Sequence, residues 1–384
     1  MTIRFEPSPE SETAAKLRAE VRAFLREEIA AGSFDPSRVE PQAKFDRAFS
    51  ARVGARGWIG MTWPREMGGH GRSFAERYVV TEEMLAANAP IRAHFVADRQ
   101  SGPVLIKYAR PEVRDQLLPR IVAGELSFCI GMSEPDSGSD LFAARAKATR
   151  TNAGWSLSGT KLWTTLAHKA DWMIGIFRTS PSTEDNRRHG LTQFLIDMTS
   201  PGITVRPVLF PSGEHDFNEI VFDDVFVPDE HVLGELGDAW KQATSELAFE
   251  RSGAERFLET FGLLAPLVDL IGPAPQLREA ESLGRMVARL HTYRHMAMAV
   301  SGTMDRGGEP VAEASVVKAG GTQWEQAMVI EARRISRLID DDGPARDRFE
   351  DALQRITAFA PKVTIQGGTI EVLNGIVARA LGLR

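Results

Sequence analysis

"CIGMSEPDSGSDL", Cys129 to Leu141, is the stretch from which the rest of the chain becomes readable. A short apolar run ends in a Ser-Glu-Pro turn and continues as Ser-Gly-Ser-Asp, the pattern of a strand that stops at a polar turn. Hydroxyls and unpaired backbone N–H groups at such a turn can hydrogen-bond a flat heterocycle and a pyrophosphate. Taken alone, the same residues also describe a plain polar turn between strands.

The chain changes character on both sides of this stretch. Upstream, "SETAAKLRAEVRAFLREEIAAG" offers a serine cap and apolar residues at Ala15, Leu17, Val21 and Leu25. "GWIGMTWPREMGGHG" is a glycine- and proline-rich loop, "FAERYVVTEEMLAAN" is helical, and "LLPRIVAGEL" closes the section. Downstream, "WSLSG", "DWMIGIFRT", "LTQFLIDM", "ITVRPVLF" and "NEIVFDDVFVP" are short β-branched and aromatic runs between turn residues. Helical patterns return at "DAWKQATSELAFERSGAERFLETFGLL" and run through Leu277–Ser301 and Val311–Leu338, with loops at "IGPAP" and "DDDGPARD". The reading is an α+β multidomain protein: a helical domain over 1–124, a β-domain over 125–236 and a C-terminal four-helix bundle over 237–384.

Composition narrows the partners. The 384 residues are 43% hydrophobic and 26% charged, with a formal net charge of -6. That is ordinary for a globular protein and gives no general basic field for nucleic acid. The lone cysteine, Cys129, permits no internal disulfide and lies in the apolar run "LSFCIGM" as a buried thiol. "MTIRFEPSPESE" carries no cationic and apolar signal pattern, and no apolar run reaches membrane-spanning length. A cytoplasmic protein is the expectation. The histidines, among them His168 and His231, look scattered and suit polar loops better than a metal cluster.

Near the end, "TIQGGTIEVLNGIVARALG" sets two glycines, Gly367 and Gly368, before a helix whose Ile370, Leu373, Ile376, Val377 and Leu381 form one stripe. Paired glycines there mark a tight bend or a close approach to the backbone.

Five stretches in order resemble the acyl-CoA dehydrogenase family over nearly the whole chain. Ser133, Glu134, Gly138, Ser139 and Asp140 match its Ser/Thr-Glu-x-x-x-Gly-Ser-Asp signature. "GTKLWTT" matches its Trp-x-Thr at Trp163 and Thr165. "GWIGMTWPREMGGHG", "VRPV…NEIVFDDVFVPDEHVLG" and "GGTIEVLNGIVAR" match the N-terminal loop, the β-domain exit and the C-terminal helix.

The resemblance implies FAD and an acyl-CoA substrate. It implies that the Met132 main chain and Ser133 bind the flavin ring, with Ser139 near the pyrophosphate and CoA. It sets Trp163 against the isoalloxazine, although a strand tryptophan also reads as a core aromatic. Thr165 would bond near the reactive edge, and Thr369 and Glu371 would hold the adenine half. The reaction implied needs a base for the α-proton, hydride acceptance by flavin N5, and donors that polarise the thioester carbonyl.

The base is not where many members carry it. Their glutamate immediately precedes the Gly-Thr of the C-terminal helix, and here that residue is Gly367. Glu371 matches a cofactor-contacting position and is no substitute. A second family solution puts the glutamate before an arginine on the first helix of the C-terminal domain, where this chain reads "LAFERSGAER". Helical spacing puts Glu250 and Arg251 on the stripe shared by Leu247, Ala254 and Leu258. A glutamate on an apolar stripe is costly unless paired or functional. Glu250 is therefore the candidate base, with Arg251 beside the substrate or orienting Glu250, and an edge Glu–Arg pair is the plainer alternative. Gly367 keeps its N–H for the thioester carbonyl, and Gly368 adjoins the substrate.

Two family motifs that complete FAD across a subunit interface, Arg-x-x-Phe-Gly and Gln-x-x-Gly-Gly, are missing from "LIGPAPQLREAESLGRMVARL" and "EARRISRLIDDDGPARD". The resemblance therefore points to the branch built as α2β2 heterotetramers on CoA thioesters of steroid side chains, with a related chain as partner. A homo-oligomer remains the other reading. Electron-transfer flavoprotein is the implied electron acceptor. Alternatives on the same fold are a flavin oxidase or monooxygenase and a non-catalytic partner subunit.

Overall fold

Ser11 accepts a hydrogen bond from the Ala14 backbone N–H and starts helix α1 (Glu12–Ala30). Its buried stripe runs through Ala14, Leu17, Val21 and Leu25; Ala15, expected on it, is exposed. The computed structural model describes residues 3–37, 45–182, 186–240, 242 and 253–383. Further helices are α2 (Arg47–Ala55), α3 (Phe74–Ala86), α4 (Arg92–Val96), α5 (Gly102–Tyr108) and α6 (Pro111–Val122). After the strands come α7 (Leu264–Ile271), α8 (Leu277–Asp305), α9 (Val311–Ser336), α10 (Pro344–Phe359) and α11 (Ile370–Ala380).

The chain divides into two compact units. One joins Met1–Lys44 and Arg72–Pro90 to Ala248–Arg384, so α1 and α3 belong with the C-terminal helices. Its core includes Leu263, Leu267, Val317, Trp324, Phe349 and Ile356. Nearly buried charges tie the early helices to α8: Glu82 takes Arg18 at 2.8 Å and Arg294 at 2.7 Å. Such pairs need mutual satisfaction to be tolerated away from water.

The helix expected through "GAERFLETFG" does not form. Ala254–Arg256 and Phe261–Leu263 are isolated 3-10 turns. Ala254 and Leu258 are still buried. Space at Gly253 is already taken, since a Cβ there would stand 2.0 Å from the Glu255 carboxylate. The Thr260 N–H donates to Glu325 on α9 instead of to an α-helical carbonyl. Apolar spacing alone does not separate these turns from a helix.

The other unit, Phe45–Gly71 with Ile91–Leu247, holds α2, α4, α5, α6 and the sheet. Its strands are β1 (Phe128–Gly131), β2 (Lys147–Arg150), β3 (Gly154–Thr165), β4 (Trp172–Arg178), β5 (Leu191–Asp197), β6 (Ile203–Leu209), β7 (His215–Pro228) and β8 (Val232–Leu233). They run in the order β6-β7-β3-β2-β4-β5-β8, with β1 parallel to β4. Each of the five downstream runs singled out in the sequence falls on one of β3 to β7. Phe177, Phe194, Phe222 and Trp155 fill the core beneath them. Among the described residues no helix is long and apolar enough to cross a membrane.

Candidate active site

In the sheet unit, the decisive stretch is held by a buried ion pair. Strand β1 ends at Gly131, where a Cβ would meet the Met173 methyl at 1.5 Å, so a side chain there would have to push the flexible tip of Met173 aside. The backbones of Glu134 and Ser137 then pair with each other and close the Pro135–Asp136 turn. The Glu134 carboxylate accepts from the N–H groups of Arg145 (2.6 Å) and Ala146 (3.1 Å) and from Lys161 Nζ at 2.7 Å. Lys161 is fully buried, with its ammonium 4.9 Å from the Phe177 ring centroid. Burial pulls the Lys161 pKa down, against the carboxylate that favours its charge. This accounts physically for the glutamate of the signature: it ties the turn to two backbone donors and to β3.

Lys161 leads directly into the residues expected at the flavin. The Leu162 N–H donates to the Ser133 carbonyl at 2.9 Å, and Lys161 Nζ reaches the Met132 carbonyl at 3.4 Å. The β3–β7 register slips between Lys161 and Thr164. Within this bulge Trp163 takes φ 61° and Leu166 follows at φ 54°. Left-handed backbone costs a non-glycine residue about 1–2 kcal/mol, and such strain persists where surrounding contacts over-determine it. Trp163 is 55% exposed and meets Phe217 edge-on at 5.7 Å, so it is not a core aromatic.

These bonds set Met132 and Ser133 against the bulged end of β3 that carries Trp163 and Thr165. Ser133 is half-buried, and neither its N–H nor its hydroxyl has a partner among the described residues; the same holds for the Thr165 hydroxyl. An exposed tryptophan face beside unmet polar groups fits a flat, hydrogen-bonding ring such as flavin. Ser139 lies farther out on an exposed arm, next to Asp140, which pairs with Arg187 at 2.7 Å.

The helical unit carries the second set. Gly367 has φ 66° and Gly368 φ 98°, conformations that side-chain-bearing residues rarely adopt. Thr369 caps α11, its hydroxyl accepting from the Val372 N–H. Glu371 is exposed in the first turn of α11, and its own backbone N–H and the Thr369 hydroxyl hold its pKa low. Fully buried Lys318 of α9 donates to the Gly368 carbonyl at 2.7 Å. Just before the glycines, Gln366 donates to both oxygens of Glu259 (3.1 and 3.0 Å), and Lys362 donates to Gln366 Oε1 at 2.9 Å. Beneath Glu259, burial and that neighbouring charge push the fully buried Glu325 up to about 8. Glu250 and Arg251 lie outside the described residues.

Glu134 and Lys161 stand in separate motifs that nothing in the sequence joins, and no sequence pattern marks Lys318, Glu259 or Glu325. His168 sits on the short 3-10 turn Ala167–Lys169 between β3 and β4 and stacks on His215 with ring centroids 3.7 Å apart.

Comparison with known proteins fits this geometry. Family models describing the acyl-CoA dehydrogenase N-terminal, middle and C-terminal domains match residues 11–125, 129–225 and 278–382. The chain is 31% identical to acyl-CoA dehydrogenase IpdE1 of Mycolicibacterium smegmatis, over 96% of this chain and 97% of that protein. It is 33% identical to acyl-CoA dehydrogenase FadE34 of Mycobacterium tuberculosis over 94% of its own length, but spans only 49% of that longer protein. Among solved structures, the Tcur3481-Tcur3483 steroid ACAD superposes with TM-score 0.85 at 27% identity, covering 100% of this chain and 99% of that one. The ChsE4-ChsE5 complex from Mycobacterium tuberculosis gives 0.81 at 26%, with 100% of both chains covered. The chain belongs to the acyl-CoA dehydrogenase family, FAD-dependent oxidoreductases acting on CH–CH bonds.

Proposed function

We propose that this chain dehydrogenates the α,β bond of an acyl-CoA thioester, with Glu250 as the base. The observation that carries this reading is Gly367. It stands where many members hold the catalytic glutamate, and its φ of 66° shows a turn built for a residue without a side chain. The carboxylate must then come from elsewhere, and Glu250 occupies the family's second position for it. Ser133, Thr165, Trp163 and the Met132 main chain would hold the flavin ring, Ser139 the pyrophosphate and CoA, and Thr369 and Glu371 the adenine half. When bound, FAD supplies the acceptor for the β-hydride. Glu250 takes the α-proton on its carboxylate, Arg251 orients that carboxylate beside the substrate, and the Gly367 N–H donates to the thioester carbonyl.

The acyl group is bulky and steroid-like. The Tcur3481-Tcur3483 structure, which this chain matches over its full length, is a steroid ACAD, and paired glycines leave room beside the carbonyl. A related partner chain completes the FAD site; the similar ChsE4 and ChsE5 form a complex with each other. Electron-transfer flavoprotein reoxidises the flavin, and a cytoplasmic setting suits the buried Cys129 thiol.

The test is anaerobic bleaching of the yellow protein, alone and with a co-expressed partner, by a panel of acyl-CoA thioesters. Glu250→Gln should keep the flavin spectrum and slow bleaching about 10²–10⁴-fold. Near wild-type turnover in that variant would overturn the assignment.

A further inference from the structure

We propose that His168, His215 and Asn218 are positioning residues that clamp the strained Trp163–Leu166 segment in its flavin-holding conformation. The clamp rests on one side chain. Asn218 is fully buried on β7, across the bulge from Thr164. Its Nδ2 donates to the Thr164 carbonyl at 2.9 Å and to the Asp216 carbonyl at 3.3 Å. Two carbonyl partners fix which end of the amide is nitrogen. Oδ1 therefore faces the imidazoles and accepts from both, His168 Nδ1 at 3.1 Å and His215 Nε2 at 2.7 Å. Each neutral ring then carries its proton on the nitrogen that faces Asn218.

A second bond closes the segment, from the Leu166 N–H to the Asp216 carbonyl at 2.7 Å. The bulge thus has its carbonyl at Thr164 and its N–H at Leu166 both tied to β7. These ties hold two left-handed residues that would otherwise relax. His168 also pins the far side, because it belongs to the 3-10 turn Ala167–Lys169 that directly follows the segment.

The stacked rings make the clamp sensitive to protons, since two cations at 3.7 Å repel. Burial and then the charge of His215 hold His168 below the usual imidazole value. The other charges facing the pair are Lys169 on the same turn, Asp216 on β7, and Arg92 of α4, which approaches Asp216 at 3.5 Å. A neutral His168 keeps the clamp closed, and its protonation in acid loosens it.

The link to flavin rests on the proposed function, so the deciding experiment is made without flavin. The full chain is labelled with 5-fluorotryptophan, and the Trp163 resonance is identified by its loss in Trp163→Phe. In the wild type this ¹⁹F resonance should move with pH in a transition below the ordinary histidine range. In His168→Gln the transition should vanish, and in Asn218→Leu the resonance should be displaced or broadened at every pH. Thermal melts check that each variant is folded, and His168→Gln decides if Asn218→Leu is not. A Trp163 resonance that ignores pH, or titrates unchanged in His168→Gln, overturns the clamp. Addition of FAD with the partner chain then tests the link: binding should weaken about tenfold in His168→Gln, the worth of roughly one hydrogen bond. A moving Trp163 in a wild-type protein that never takes up FAD would refute the flavin reading and leave the clamp standing.

Discussion

The turn after β1 and the turn before α11 both serve the cofactor or substrate in the proposed reaction, yet they are built in opposite ways. The first is made of side chains. Glu134 and Lys161 are buried against each other, and the strained Trp163 segment hangs from the strand that Lys161 anchors. The second is made of backbone. Gly367 and Gly368 have no side chains, and the turn is held from outside by Lys318 on one carbonyl and by Gln366 on Glu259. The first should therefore break through lost charge pairing and the second through altered backbone freedom.

The largest effect falls on the first turn. Glu134→Gln leaves the Lys161 ammonium buried without its carboxylate and weakens the acceptor for the Arg145 and Ala146 N–H groups. Removing one partner of a buried pair costs about 3–5 kcal/mol. Urea unfolding should show that loss, and isolated protein should carry little or no flavin. A variant as stable as the wild type would mean that the pair is not what holds the turn.

The second turn offers a test by pH. Glu325 is raised above the ordinary carboxylate range by burial and by Glu259. Between the unfolded value near 4.5 and about 8, the folded protein keeps a proton that the unfolded chain gives up. Stability from this group is therefore greatest at low pH and falls as pH rises through that window, levelling off above it. The slope is at most about 1.4 kcal/mol per pH unit. Glu10, Asp229 and Glu371 are held low and act in the opposite sense, so the comparison is with Glu325→Gln, whose neutral amide carries no such slope. Urea unfolding of both proteins at a series of pH values should show the variant gaining on the wild type as pH rises. Parallel curves would show that Glu325 is ionised in the fold.

The two turns also differ in how much of them sequence reveals. The strands were legible because β-branched and aromatic runs stand between turn residues, and the signature was legible because its residues are neighbours. β2 escaped notice: Lys147–Arg150 is short and mostly exposed, with little apolar pattern. The run through Ala254 and Leu258 looked helical because buried 3-10 turns place apolar residues at similar spacing. What holds each turn was invisible for one reason. Glu134 and Lys161 are 27 residues apart, His168 and Asn218 are 50, as are Lys318 and Gly368, and Gln366 and Glu259 are 107. Only the fold brings these partners together.

The smallest expected effect answers what the paired glycines are for. Space alone predicts that Gly367→Ala narrows the acyl pocket and leaves stability untouched. The φ of 66° predicts something further, because alanine there meets left-handed strain of about 1–2 kcal/mol. Thermal unfolding should register that loss in the absence of any substrate. Bleaching by acyl-CoA should then separate the two contributions. Loss of room slows bulky acyl groups more than short ones, whereas a displaced Gly367 N–H weakens polarisation of the thioester carbonyl for all of them alike. Selective slowing of bulky substrates supports the glycines as the makers of acyl space. Equal slowing with the same stability loss would show instead that the turn was chosen for its backbone, with the carbonyl donor, and not the pocket, as its purpose.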